Sequence, residues 1–138
     1  MRQAPAAAFT KAYKLFVLAL MIFVCREVRG QQLNIKDFVL YGRNSVELNT
    51  STSVAGGYLG SNNLFRTIGN TTINANIYSG GRIDLSNSNT ITGNISAQNT
   101  SGATGYIFQT GSNAAITGNL NIKGSVLLGG GFINGTVN

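Results

Sequence analysis

The sequence predicts an all-β protein: a single-stranded parallel β-helix, or solenoid, of about 18 residues per turn, triangular in section, right-handed, and preceded by a helical signal peptide. Three observations carry that expectation. The tetrapeptide ITGN occurs at Ile91 and again at Ile116. The composition is rich in Gly, Asn, Ser and Thr, with 18 Gly and a single Pro in 138 residues. The basic charge and the longest apolar run both gather in the first 30 positions.

Residues 1–30 read as a targeting segment. A basic start ends at Lys14, an apolar stretch runs from Leu15 to Val24, and a short polar tail follows. Ten apolar residues are about half of the roughly 20 that a membrane-spanning helix needs, and they suit a signal peptide. Val28 and Gly30 place cleavage before Gln31, so the protein is expected to be secreted or held at the cell surface, touching a membrane only during export. A retained anchor is the competing reading. Acylation of Cys25 as a lipoprotein is disfavoured by the bulky Ile22, Phe23 and Val24 before it. Cleavage before Gln31 removes the only Cys, and with it disulfide and thiol chemistry.

Within 1–30, Arg2, Lys11, Lys14, Arg26 and Arg29 stand against Glu27. Beyond, Lys36, Arg43, Arg66, Arg82 and Lys123 stand against Asp37, Glu47 and Asp84. Most of the formal +6 therefore lies in the leader, and a nucleic-acid partner is not expected. Residues 31–45 are expected to cap the fold, with Ile35, Phe38 and Leu40 plugging its first turn and stopping strand pairing there.

Residues 46–138 hold the repeat, in five segments. Each carries an apolar pair two residues apart, then a second short apolar stretch containing a small residue. They begin at Val46, Phe65, Ile83, Phe108 and Val126, and the second stretches begin at Val54, Ile73, Ile91, Ile116 and, one residue early, Ile133. The long step from Ile83 to Phe108 contains NTSGATG at residues 99–105, an insertion of loop-like composition. Alternation of period two puts one side of each short strand inward, and stacked turns give a continuous core in which backbone groups pair above and below. A disordered Gly/Asn/Ser tract would not hold Ile, Val, Leu and Phe in register. An antiparallel barrel would show hairpin turns every 8–12 residues or so.

Stacking turns sequence columns into surface ladders. One reads Glu47, Arg66, Asp84, Gln109, Leu127, an acid, a base and an acid placed to form ion pairs. Glu47 and Asp84 would lie about 9.6 Å apart, two turns of strand spacing, within an inverting glycosidase's range; Arg66 between them makes a charge ladder the better reading. With no His and three acids beyond the leader, no catalytic residue, metal site or cofactor is expected. Two more columns, Ala55, Asn74, Thr92, Thr117, Asn134 and Gly57, Asn76, Asn94, Asn119, Thr136, form an Asn/Thr strip. Its candidate binding residues are Asn74, Asn76, Thr92, Asn94, Thr117 and Asn119, toward ice or a surface glycan; the alternative is a solvated wall whose Asn side chains bond along the stack. Asn-X-Ser/Thr triplets at Asn49, Asn70, Asn94, Asn99 and Asn134 follow from composition.

The strings INANIYSGG from Ile73, ITGNISA from Ile91 and ITGNLNIKG from Ile116 resemble the turns of bactofilin-type polymer-forming proteins, over about residues 65–138. With the leader and FVLYG from Phe38, the chain is similar to N-terminal solenoids of secreted surface proteins from Gram-negative gliding bacteria. The Asn/Thr strip also resembles that of ice-binding adhesins, whose Thr arrays are more regular. The resemblance implies a solenoid; the leader departs from the usual cytoplasmic bactofilins. The expected function is that of an exported, non-catalytic structural or adhesion module, a spacer at the cell surface, with ligand binding as the alternative. Val137 and Asn138 end in mid-turn, so the edge there is expected to meet either the remainder of a longer chain or another copy, end to end.

Overall fold

The computed structural model describes residues 33–138. The leader, Cys25 and the cleavage point before Gln31 lie outside the described residues.

A single 3-10 turn, Ile35–Asp37, is closed by Asn34, whose side chain accepts from the Lys36 amide while the Asp37 carboxylate accepts from the Asn34 amide. Among the described residues, thirteen strands follow. They are β1 (Phe38–Gly42), β2 (Ser45–Leu48), β3 (Thr52–Ser61), β4 (Leu64–Thr67), β5 (Thr71–Ser79), β6 (Arg82–Leu85) and β7 (Thr90–Thr92). Then come β8 (Ile95–Ala97), β9 (Phe108–Thr110), β10 (Ala114–Thr117), β11 (Leu120–Ile122), β12 (Val126–Leu128) and β13 (Gly131–Asn134).

All strand pairs are parallel, and they stack on three sides in a β-solenoid of about 5 turns. Side one is β2, β4, β6, β9 and β12. Side two is the first part of β3 and of β5, then β7, β10 and β13. Side three is β1, the second part of β3 and of β5, then β8 and β11, with Val137 bridged to Leu120.

The register reproduces the repeat. Val46 pairs with Phe65, Phe65 with Ile83, Ile83 with Phe108, and Phe108 with Val126. On side two Val54, Ile73, Ile91, Ile116 and Ile133 form one column. The two copies of ITGN lie directly above one another, Ile91 on Ile116 and Thr92 on Thr117. The extra residues that separate them leave the coil between β8 and β9, where Thr100 donates its hydroxyl to the Gly80 carbonyl at 2.7 Å and so holds the loop against the corner.

The core is the sum of the inward columns. Phe65, Phe108, Ile83, Ile95, Ile116, Leu59 and Leu120 are fully buried. Corners bring inward polar groups that bond to each other: Thr67 with Ser86 at 3.2 Å, and Thr71 with the buried Asn89. Asn89 also donates to the Ser86 carbonyl, so a side chain that costs free energy to bury keeps its partners.

The structure departs from the sequence reading in three places. Phe38–Gly42 does not stop strand pairing: it joins side three as β1, with Leu40 opposite Leu59, and Ile35 and Leu40 are exposed. A bulge at Gly56 and Gly57 shifts the register, so the column above Asn76 begins at Tyr58 and not at Gly57. Both glycines have positive φ, 85° and 58°, which lets β3 bend from side two to side three. In the charge ladder, Arg66 pairs with Glu47 alone, while Asp84 is taken by Arg82 of its own strand at 3.1 Å and by the Gln109 amide at 2.6 Å.

Candidate functional site

The six candidate residues divide into two groups. Asn76, Asn94 and Asn119 stand at the corner between sides two and three. In ITGN the Gly turns the chain: Gly93 and Gly118 adopt φ of 152° and 145°, and a Cβ at Gly118 would run into the Gly93 carbonyl. Breaking the strand there leaves the following amide without a partner in the sheet, and each such amide must find one elsewhere. The Asn of the neighbouring turn supplies it. The Asn76 Oδ1 accepts from the Asn94 amide at 2.8 Å, the Asn94 Oδ1 from the Asn119 amide at 3.0 Å, and the Asn119 Oδ1 from the Thr136 amide at 3.0 Å. These three side chains therefore tie turn to turn. A Thr at position 136 has no amide oxygen to pass on, and the ladder ends with it.

Asn74, Thr92 and Thr117 are different. They lie on side two, pointing outward, exposed, and without a side-chain hydrogen bond among the described residues. A second outward column, Ser53, Thr72, Thr90, Ala115 and Phe132, runs two residues before them. Together they make a flat sheet surface of short side chains, ruled at the interstrand spacing of about 4.8 Å in one direction and two strand residues, about 6.6 Å, in the other.

The acids of the described residues are all engaged: Asp37 caps its turn, Glu47 holds Arg66, and Asp84 holds Arg82 and Gln109. No group of three or more His, Cys, Asp or Glu side chains comes together among the described residues.

Two features escaped the sequence reading. An aromatic cluster covers the first turns of side three: Phe38 lies 5.1 Å from Tyr41, 5.7 Å from Tyr58 and 6.5 Å from Tyr78, centroid to centroid. Its ring occupies the space that a side chain at Gly60 would fill, so the missing Cβ lets Phe38 clamp β1 onto the wall. The only trace in the sequence is a Gly between two Tyr-bearing turns, which has no meaning until the register is known. The second feature is the pocket at the far end, where the sequence reading expects an open edge. Val126, Leu128 and Val137 sit on core columns yet are exposed, and Phe132 is 61% exposed. A pocket of about 130 Å³, lined by Thr110, Ala114, Ile116, Leu128, Phe132 and Ile133 among others, opens into the core there.

Comparison with known proteins adds no family: no protein-family model, no curated protein and no solved structure matches the chain.

Proposed function

We propose that this protein is an exported, non-catalytic β-solenoid that serves as a structural or adhesion spacer at the cell surface. The observation that carries the reading is the Asn76–Asn94–Asn119 ladder: side chains free to face solvent are used to bind turn to turn, which makes a stiff rod. The leader composition supports export, and the bactofilin-like repeat style supports a scaffolding role. The exposed apolar residues Val126, Leu128 and Val137, which lie on core columns, support stacking of a second copy against that edge.

Fractionation of a Gram-negative host expressing the full chain, with N-terminal sequencing of the product, tests the reading. A product beginning at Gln31 outside the cytoplasm is expected. A cytoplasmic product that keeps its first residues would end the surface role.

The flat outward face of side two favours one second reading, binding of ice or a surface glycan through Asn74, Thr92 and Thr117, whose side chains stand free. Thermal hysteresis and glycan-array binding of the protein beside the double variant Thr92→Tyr/Thr117→Tyr decide between the two. Activity that the variant loses makes side two a binding face. Silence from both proteins leaves the rod.

A further inference from the structure

The five Asn-X-Ser/Thr triplets, at Asn49, Asn70, Asn94, Asn99 and Asn134, all lie in the described residues. A folded triplet can take a glycan only where the Asn nitrogen and the hydroxyl two residues on are both within an enzyme's reach, on surface backbone that the enzyme can surround. The fold sorts the five by that demand.

Four of them fail it. Thr71 and Thr72, which follow Asn70, belong to β5, where Thr72 is held between β3 and β7 and Thr71 is buried with its hydroxyl on Asn89. The Asn94 Oδ1 accepts from the Asn119 amide, and Ile95 beside it is in the core. The Asn99 Oδ1 is buried, so that carboxamide is turned away from solvent. Asn134 closes β13 against β10, and the Thr136 amide beyond it donates to Asn119.

Asn49, Thr50 and Ser51 instead form the turn between β2 and β3, and all three are exposed. The Thr52 hydroxyl donates to the Asn49 carbonyl at 2.6 Å, and the Thr50 hydroxyl donates to the Ile68 carbonyl at 2.8 Å. Those bonds shape the turn, while the Asn49 carboxamide and the Ser51 hydroxyl have no hydrogen bond among the described residues. Two residues before the Asn stands Glu47, paired with Arg66 at the surface. Such a pair is worth little, so the carboxylate is free to meet a basic group of an enzyme.

We propose that Asn49 is an N-glycosylation site of the exported protein. Its side-chain nitrogen attacks the anomeric carbon of an oligosaccharide carried on a polyprenyl diphosphate. The N–C bond forms as the C–O bond to the diphosphate breaks, the polyprenyl diphosphate leaves, and the nitrogen's proton passes to a base of the transferase, with no change of oxidation state. The glycan stands off the corner between sides one and two, clear of the core and of the Asn76–Asn94–Asn119 ladder. The inference rests on the proposed export, which brings the chain to such a donor.

The test is incubation of the purified 138-residue protein with a single-subunit oligosaccharyltransferase and a polyprenyl-diphosphate-linked oligosaccharide, followed by trypsin and mass spectrometry. Residues 44–66 carry Asn49 as their single triplet, 67–82 carry Asn70, 83–123 carry Asn94 and Asn99, and 124–138 carry Asn134. Glycan is expected on 44–66 alone. Ser51→Gly removes the hydroxyl at a φ of 65°, where Gly is at ease, so the glycan should vanish while the melting temperature holds. Glu47→Gln should take several-fold less glycan than the parent. Glycan on any other peptide, or a yield that Ser51→Gly leaves unchanged, would overturn the proposal. So would a bare 44–66 under conditions that fully modify an acceptor protein of known site. Because the reaction uses purified protein, a bare Asn49 ends this inference alone, whereas a cytoplasmic product in the fractionation above ends the export on which it rests.

Discussion

Asn94 takes part in two rungs of the ladder: its side chain accepts from the Asn119 amide, and its backbone amide donates to the Asn76 side chain. Asn94→Ala removes the first of these at an exposed corner where water can replace it. The cost should be about 1 kcal/mol, the net worth of a single hydrogen bond, read from the urea midpoint at unchanged slope. Phe108→Ala is the contrasting case. That ring is fully buried between Ile83 above and Val126 below, and deleting it should cost about 3–5 kcal/mol. Arg66→Ala should cost under about 1 kcal/mol, because the pair with Glu47 is at the surface, with side chains 44% and 40% exposed. A larger loss there would mean that the ion pair, and not the core, sets the register of side one.

At the scale of the strand and corner, the ITGN glycine carries the constraint. Gly118 combines φ of 145° with a neighbouring carbonyl in the space where a Cβ would go. Gly118→Ala should therefore destabilise by about 1–3 kcal/mol or more, through backbone strain at the corner between β10 and β11, measurable by thermal melting. The same substitution at Gly102, in the loop, has open space around its Cβ and should cost less despite its positive φ of 65°. A ranking in the opposite order would show that the loop, and not the corner, limits stability. The strands themselves were legible as columns of Val, Ile, Leu and Phe. Their exact bends were not: the bulge at Gly56 and Gly57 moves one column by a residue, and nothing in the local string distinguishes a bulge from a corner until β5 is laid beside it.

For the whole molecule, stability is a sum over turns and their interfaces, and the ends are the places where that sum is incomplete. The exposed Val126, Leu128, Phe132 and Val137 leave apolar core columns and strand edges open together. Concentration-dependent sedimentation is expected for the full chain. Leu128→Asp, which places a charge on an inward column beside the open pocket, should shift the distribution to monomer with little change in melting temperature. A monomer at every concentration for both proteins would remove self-assembly from the proposed function.

The sequence by itself determined the class of fold and the stacking of its turns, because a periodic apolar pattern has few ways to bury itself, and the parallel coil satisfies all five segments at once. It also delimited the outward strip as Asn and Thr. What only the tertiary structure decided is which members of that strip are spoken for. Asn76, Asn94 and Asn119 face a corner amide of the next turn, whereas Asn74, Thr92 and Thr117 face solvent. The two groups sit two residues apart in one repeat. Their difference arises from the direction in which a broken strand points its N–H, a three-dimensional fact that residue type does not encode. The same holds for Arg82 drawing Asp84 away from Arg66, and for Phe38 settling over Gly60: each depends on a distance between turns 18 or more residues apart, or on a side-chain reach that competes with one.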